Sequence, residues 1–162
     1  MAWQTILYEE IGHVARITLN RPETHNVQNA RLILELDEAA KKADSDPNIR
    51  VIILCGAGKS FSSGHDLSPI PGDELQQDYR DRHRRSVEDR LEVEDEYYMS
   101  KCLAIRNLKK PTIAAIKGNV VWGESCWPVC VISSSPPRIP VSGIPPFGIA
   151  VAGVKSWSFL LK

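Results

Sequence analysis

Neither sign of charge is in excess in this chain: 20 Lys and Arg face 20 Asp and Glu over 162 residues, for a formal net charge of +0 at pH 7. That balance excludes recognition of nucleic acid or of an anionic membrane by bulk charge, and leaves only a local patch open. No apolar run approaches the length of a transmembrane helix. The stretch Met1–Glu10 has no basic region followed by an apolar one, so it does not read as an export signal and the chain is expected to be cytoplasmic. Cysteine is sparse. Cys55, Cys102, Cys126 and Cys130 form no CxxC pair, and no nearby histidine completes a zinc set around Cys126 and Cys130. Reduced thiols without a ligand role, and no metal, are the expectation.

What is present suits one globular domain: 43% hydrophobic residues over this length supply a real core. The run Ile6–Tyr8, the turn at Glu10-Ile-Gly12 and the alternating stretch His13–Asn20 predict a hairpin that ends at Arg21-Pro22. From Asn29 the period becomes helical, with Leu32, Ile33, Leu36, Ala39, Ala40 and Ala43 on one face and a stop at Asp44-Ser-Asp-Pro47. Ile49–Cys55 is a nearly continuous β-branched run, as expected of a strand covered on both faces. Strand, helix and strand in this order predict a right-handed parallel crossover.

Asp73–Glu96 is dense in both charges. It reads either as a binding surface for an anionic nucleotide or as a solvated helix laced with i,i+4 pairs, and the second reading is preferred. Met99, Leu103, Ile105 and Leu108 continue as a helix that halts at Lys109-Lys-Pro111, and Thr112–Ile116 is a second buried strand leading to Gly118 and Val120-Val-Trp-Gly123. The loop Gly58-Lys-Ser-Phe-Ser-Ser-Gly-His-Asp-Leu67 follows the first buried strand, with a turn at Ser63-Gly64. A glycine there lets the chain turn sharply on a rigid strand end, and the next backbone N–H can then point into a cleft toward a developing negative charge.

Three linked stretches resemble the enoyl-CoA hydratase/isomerase (crotonase) superfamily over about residues 4–123. They are Leu19-Asn-Arg-Pro-Glu-Thr-His-Asn26, Val51–Leu67 and Lys110-Pro-Thr-Ile-Ala-Ala-Ile-Lys-Gly118. The resemblance implies an α/β fold, the crotonase-type spiral of ββα units, here truncated. It also implies lyase or isomerase chemistry on an acyl-CoA of the kind used in fatty acid metabolism, with coenzyme A entering as part of the substrate and no other cofactor. Two backbone N–H groups would bind the thioester oxygen and stabilise its enolate: that of His65 and that of Gly123. One such donor is typically worth about 2.7–4 kcal/mol. On this reading His65 is present for its N–H rather than as an acid or base. Thr24, His25, Asn26, Val27, Ser63, Gly64, Asp66 and Leu67 would lie along the substrate channel. The resemblance further implies trimers or hexamers.

The family's hydratases place a glutamate three residues after the second glycine, where this chain has Cys126. A thiol does not replace a carboxylate that activates water. Glu124 is out of register and receives no role. Hydration is therefore less favoured than isomerase, lyase or hydrolase chemistry. An alternative from another class is a catalytically inactive fragment that at most binds CoA or associates with homologues, and a third reading is an interaction module built on Asp73–Glu96.

After Gly123 the character changes. Residues 124–162 hold six of the eleven prolines and no aspartate, and read as an atypical Pro/Ser-rich tail distinct from the crotonase-like part at 1–123. Codons compatible with this tail, read one base out of register from Glu124, encode Gly-Val-Met-Leu-Ala-x-x-Cys-Asp-Leu-Ile-Val-Ala-Ser-Glu-Asp, which resembles the family's continuation. Residues 124–162 are therefore read as the out-of-frame product of a longer crotonase gene, through a mutation or a sequencing error, although 149–162 fit neither frame. Sequencing an independent clone across the codons for Trp122–Glu124 tests this. The expected result is a run of G in which one base is lost; third-base choices that cannot encode the shifted peptide contradict it.

Overall fold

The computed structural model describes residues 3–66, 68–120 and 130–133. Burial alternates along the second strand, with Ala15, Ile17 and Leu19 inward and their neighbours half-exposed. Period-2 alternation of this kind gives a sheet one buried face. Strands β1 (Ile6–Ile11) and β2 (Val14–Leu19) form the expected antiparallel hairpin, closed by Gly12 at φ 59. Helix α1 (Ala30–Ser45) then crosses to β3 (Val51–Gly56), which pairs parallel with β2. β3 in turn pairs parallel with β5 (Thr112–Ile116) and β5 with β7 (Cys130–Ser133), so the sheet order is β1-β2-β3-β5-β7. The short strands β4 (Ser60–Ser62) and β6 (Asn119–Val120) form a second, two-stranded parallel sheet.

α1 is the pivot between two apolar clusters. Leu32, Leu36, Ala39, Ala40 and Ala43 pack with Ile17, Ile52, Leu54 and Ala114 of the large sheet. Ala30 and Ile33 belong instead to a cluster with Tyr79, Val93, Tyr97 and Tyr98. Both ends of α1 are tied by polar contacts. At its start Asn29 Oδ1 accepts the Leu32 N–H at 3.0 Å, the side-chain cap that such a terminus needs. At its end Lys110 Nζ donates to the carbonyls of Ala43 and Asp46, while Asp44 Oδ1 accepts the N–H groups of Lys109 and Lys110. The Lys109-Lys110-Pro111 stretch thus anchors the helix end to the start of β5.

The charged segment is two helices, α2 (Glu74–Arg85) and α3 (Val87–Glu94), rather than one continuous helix. Ser86 separates them because its extended backbone and its side-chain acceptance of the Asp89 N–H make it an N-cap. The expected ion pairing is there, as Arg82 with Asp78 and Arg85 with Asp89 at i,i+4, and Arg82–Glu96 and His83–Glu94 zip α2 to the chain that follows. A π-helical turn, Asp95–Met99, joins α3 to α4 (Ser100–Arg106). Of the residues expected to continue as a helix here, Met99 and Leu103 are exposed, and the buried face is Tyr97, Tyr98, Cys102 and Ile105. The wider π turn rotates the face that meets the core.

The tail also departs from expectation. Cys130–Ser133 forms β7, parallel to β5, in a stretch read as lacking strand periodicity. A β-branched pair, Val131-Ile132, next to the open edge of β5 suffices for pairing when a template strand is present.

Candidate functional site

The segment after the hairpin and the loop after β3 fold against each other, and a buried polar network joins them. Pro22–Thr24 forms a short 3₁₀ turn, and His25 and Asn26 both follow at φ 55. Left-handed backbone is unfavourable for most residues, yet Asn tolerates it because its short amide bonds locally. Asn26 is fully buried, its Oδ1 accepts the Arg21 N–H at 2.9 Å, and its Nδ2 donates to Ala57 O and Ser60 O at 2.9 and 2.8 Å. The Ser62 hydroxyl donates to Asn26 O at 2.9 Å and accepts from Gln28 Nε2 and the Gly64 N–H.

Gly64 stands at φ 89, in the left-handed region that favours glycine. Beyond it the chain forms a single parallel bridge with Gln28: the Gln28 N–H donates to Gly64 O at 2.7 Å and the Asp66 N–H to Gln28 O at 2.9 Å. In a parallel bridge these two bonds flank His65 and turn its own N–H and carbonyl to the opposite side. Asp66, buried, pairs with Arg21 at 3.0 Å, and Arg21 also donates to Val27 O. Each partner thereby neutralises the other away from solvent; loss of either would leave a buried charge uncompensated. The second Asp66 oxygen accepts the Ser68 N–H.

Seven of the residues singled out from the sequence therefore meet: His25, Asn26, Val27, Gly64, His65 and Asp66 through this network, and Thr24 by its hydroxyl on Arg21 O. Ser63 lies within the same turn, half-buried. His25 is exposed, with Nδ1 3.2 Å from Ser60 Oγ. Leu67, Gly123, Glu124 and Cys126 lie outside the described residues. Among the described residues no three His, Cys, Asp or Glu side chains come together as a metal would require, and no helix is long and apolar enough to cross a membrane.

Sequence reasoning assigned no role to Gln28, Ser62, Gln76 and Tyr98. Gln76, on α2 and fully buried, accepts the Ala30 N–H and donates to Asp66 O at 2.6 Å and Ser68 O at 3.2 Å, so it links the start of α1 to the strand end. Tyr98 stacks on the His65 ring with centroids 3.5 Å apart and planes 18° from parallel. A glutamine in a charged helix carries no signal of such a role; a buried tyrosine pair beside a charged stretch is the only hint.

An α/β protein with a glycine turn braced at the end of a parallel strand is a class in which backbone amides at such turns serve anion or carbonyl binding. The comparisons make it specific. The sequence profile described as "Enoyl-CoA hydratase/isomerase" matches residues 9–124, and the chain belongs to that family. EchA13 of Mycobacterium tuberculosis, which carries an enoyl-CoA hydratase name, is 38% identical over 130 residues, covering 74% of this chain and 41% of that protein. The 4-chlorobenzoyl coenzyme A dehalogenase-2 of an Arthrobacter species is 34% identical over 121 residues, covering 73% and 40%. The crystal structure of a probable enoyl-CoA hydratase from Mycobacterium smegmatis superposes with a TM-score of 0.60 at 40% identity, covering 70% of this chain and 41% of that one. The fold is part of the crotonase fold, and the chain spans about 41% of the length of these relatives.

The aromatic cluster behind the turn predicts an alkaline transition. Tyr79, Tyr97 and Tyr98 are all held above the ordinary phenol value of 10.0, chiefly by burial, Tyr79 as far as about 12. The neutral phenol is favoured in the folded state, so the contribution is whole below pH 10 and is lost as pH rises through 10 to about 12. Phenolate absorbance followed with circular dichroism should show Tyr79 and Tyr98 ionising together with unfolding. Ordinary titration near pH 10 with the fold intact would contradict this burial.

Proposed function

We propose that this chain processes an acyl-CoA thioester, with the His65 N–H as one donor to the thioester oxygen and the Gly123 N–H as its partner. The observation that carries the reading is the Gln28–His65 bridge, which uses the groups on either side of His65 and directs its N–H away from them. A donor held this way needs little reorganisation as charge develops, which is what makes such hydrogen bonds effective in lowering a barrier. Thr24, His25, Asn26 and Val27, with Ser63, Gly64, Asp66 and Leu67, form the channel wall, contributing mainly backbone. Coenzyme A enters as part of the substrate.

The reaction class is lyase or isomerase. A hydratase name and a dehalogenase name among the relatives show that CoA thioester chemistry varies over this scaffold. Cys126 in place of a glutamate disfavours hydration here. A second reading keeps the ligand and drops the turnover: a polypeptide that binds CoA or associates with homologues without catalysis. It is favoured by the family match ending at residue 124, where the tail, read as out of frame, begins.

Purified protein assayed with a 3-enoyl-CoA and with an aryl-CoA thioester, alongside calorimetric binding, separates the readings. The proposal expects binding and turnover, with Gly64→Ala reducing kcat on the order of 10²–10³-fold by displacing the donor. Binding without turnover supports the second reading. A folded protein that binds neither thioester refutes the proposal and the CoA-binding form of the second reading.

A further inference from the structure

We infer that Tyr98 is a positioning residue for the His65 turn: its ring fixes the His65 side chain while its hydroxyl fixes the opposing strand. The ring lies 3.5 Å from the His65 ring, stacked at 18°, and the hydroxyl donates to Gln28 O at 3.1 Å. That carbonyl is the one that accepts the Asp66 N–H. One side chain therefore grips both members of the Gln28–His65 bridge, and the direction of the His65 N–H follows from where Tyr98 stands.

Tyr98 stands within the π turn, whose wider winding changes the roughly 100° offset between successive side chains of an α-helix. Within Asp95–Met99 both Tyr97 and Tyr98 are buried, at 3% and 2% exposure. Tyr97 packs edge-on against Tyr79 at 5.3 Å, and Tyr98 is left to reach the turn. Tyr79 closes the space behind, 6.1 Å from Tyr98 between ring centroids. Its own hydroxyl is buried beside that of Tyr98, which donates its proton to Gln28 O and keeps its lone pairs as acceptors. Inserted turns of this type recur where a helix must aim a side chain at a functional site. The aim here is at a backbone turn, not at substrate.

The catalytic consequence rests on the acyl-CoA reading; the positioning itself does not. Nuclear magnetic resonance of the full chain tests the positioning. The His65 ring protons should resonate upfield of random-coil positions through the Tyr98 ring current, remain there in Tyr98→Phe, and return to random-coil positions in Tyr98→Leu. In Tyr98→Phe the Asp66 amide should exchange about tenfold faster relative to α1 amides, the effect of one lost hydrogen bond on the shared carbonyl. If Tyr98→Leu does not fold, wild type against Tyr98→Phe still decides. His65 protons unshifted in wild type, or an Asp66 exchange rate that follows α1 in Tyr98→Phe, would overturn the inference. With a 3-enoyl-CoA, a folded Tyr98→Leu should lose kcat at nearly constant KM. If wild type neither binds nor turns over the thioester, the acyl-CoA reading fails, and the resonance result still stands or falls by itself.

Discussion

The side-chain amide of Asn26 holds together the two segments on which the site is built. It is fully buried on left-handed backbone, accepts the Arg21 N–H, and donates to the carbonyls of Ala57 and Ser60. Each of those groups would otherwise be a backbone polar atom hidden from water, at a cost of about 1–3 kcal/mol apiece. Only a side chain with one acceptor and two donors in a plane satisfies all of them. Aspartate offers no donor when ionised. Histidine and serine lack the third bond.

From that amide the constraint spreads to the turn. Ser62, the residue two beyond Ser60, bonds the Asn26 carbonyl, Gln28 and Gly64, and the Gln28 bridge then sets His65 and Asp66. Arg21 closes the circuit by pairing with Asp66 and with Val27 O. Gln76 and Tyr98 brace the far side from α2 and the π turn. A backbone amide becomes a useful donor only if it keeps its direction as charge develops, and here the direction is over-determined by contacts from four segments.

Much of this frame was legible in the residues. The hairpin, α1, β3 and β5 announced themselves because one buried face imposes a period of two on β2 and a helical period on Leu32–Ala43, while Ile49–Cys55 and Thr112–Ile116 carry apolar runs. The motif Leu19–Asn26 and the Gly64 turn marked the candidate site, although not how they meet, since Asn26 reaches Ala57 and Ser60 only in the fold. The break at Ser86 hides in a charged stretch with no apolar period to interrupt. The π turn has no sequence signature, so Met99, Leu103, Ile105 and Leu108 read simply as a continuing helix and Tyr98 drew no reading at all. β7 forms because β5 offers an open edge, a tertiary cause that the local composition of the tail does not record.

The central claim is that the Asn26 amide imposes the geometry of the His65 turn. Hydrogen–deuterium exchange of Asn26→Ala against wild type measures it directly, residue by residue. The account predicts that protection falls selectively at Gln28, Gly64 and Asp66, while β1, β2 and the sheet-facing half of α1 keep theirs. Unchanged protection at Gln28 and Asp66 in a folded variant would contradict it, as would a uniform loss across the hairpin and α1.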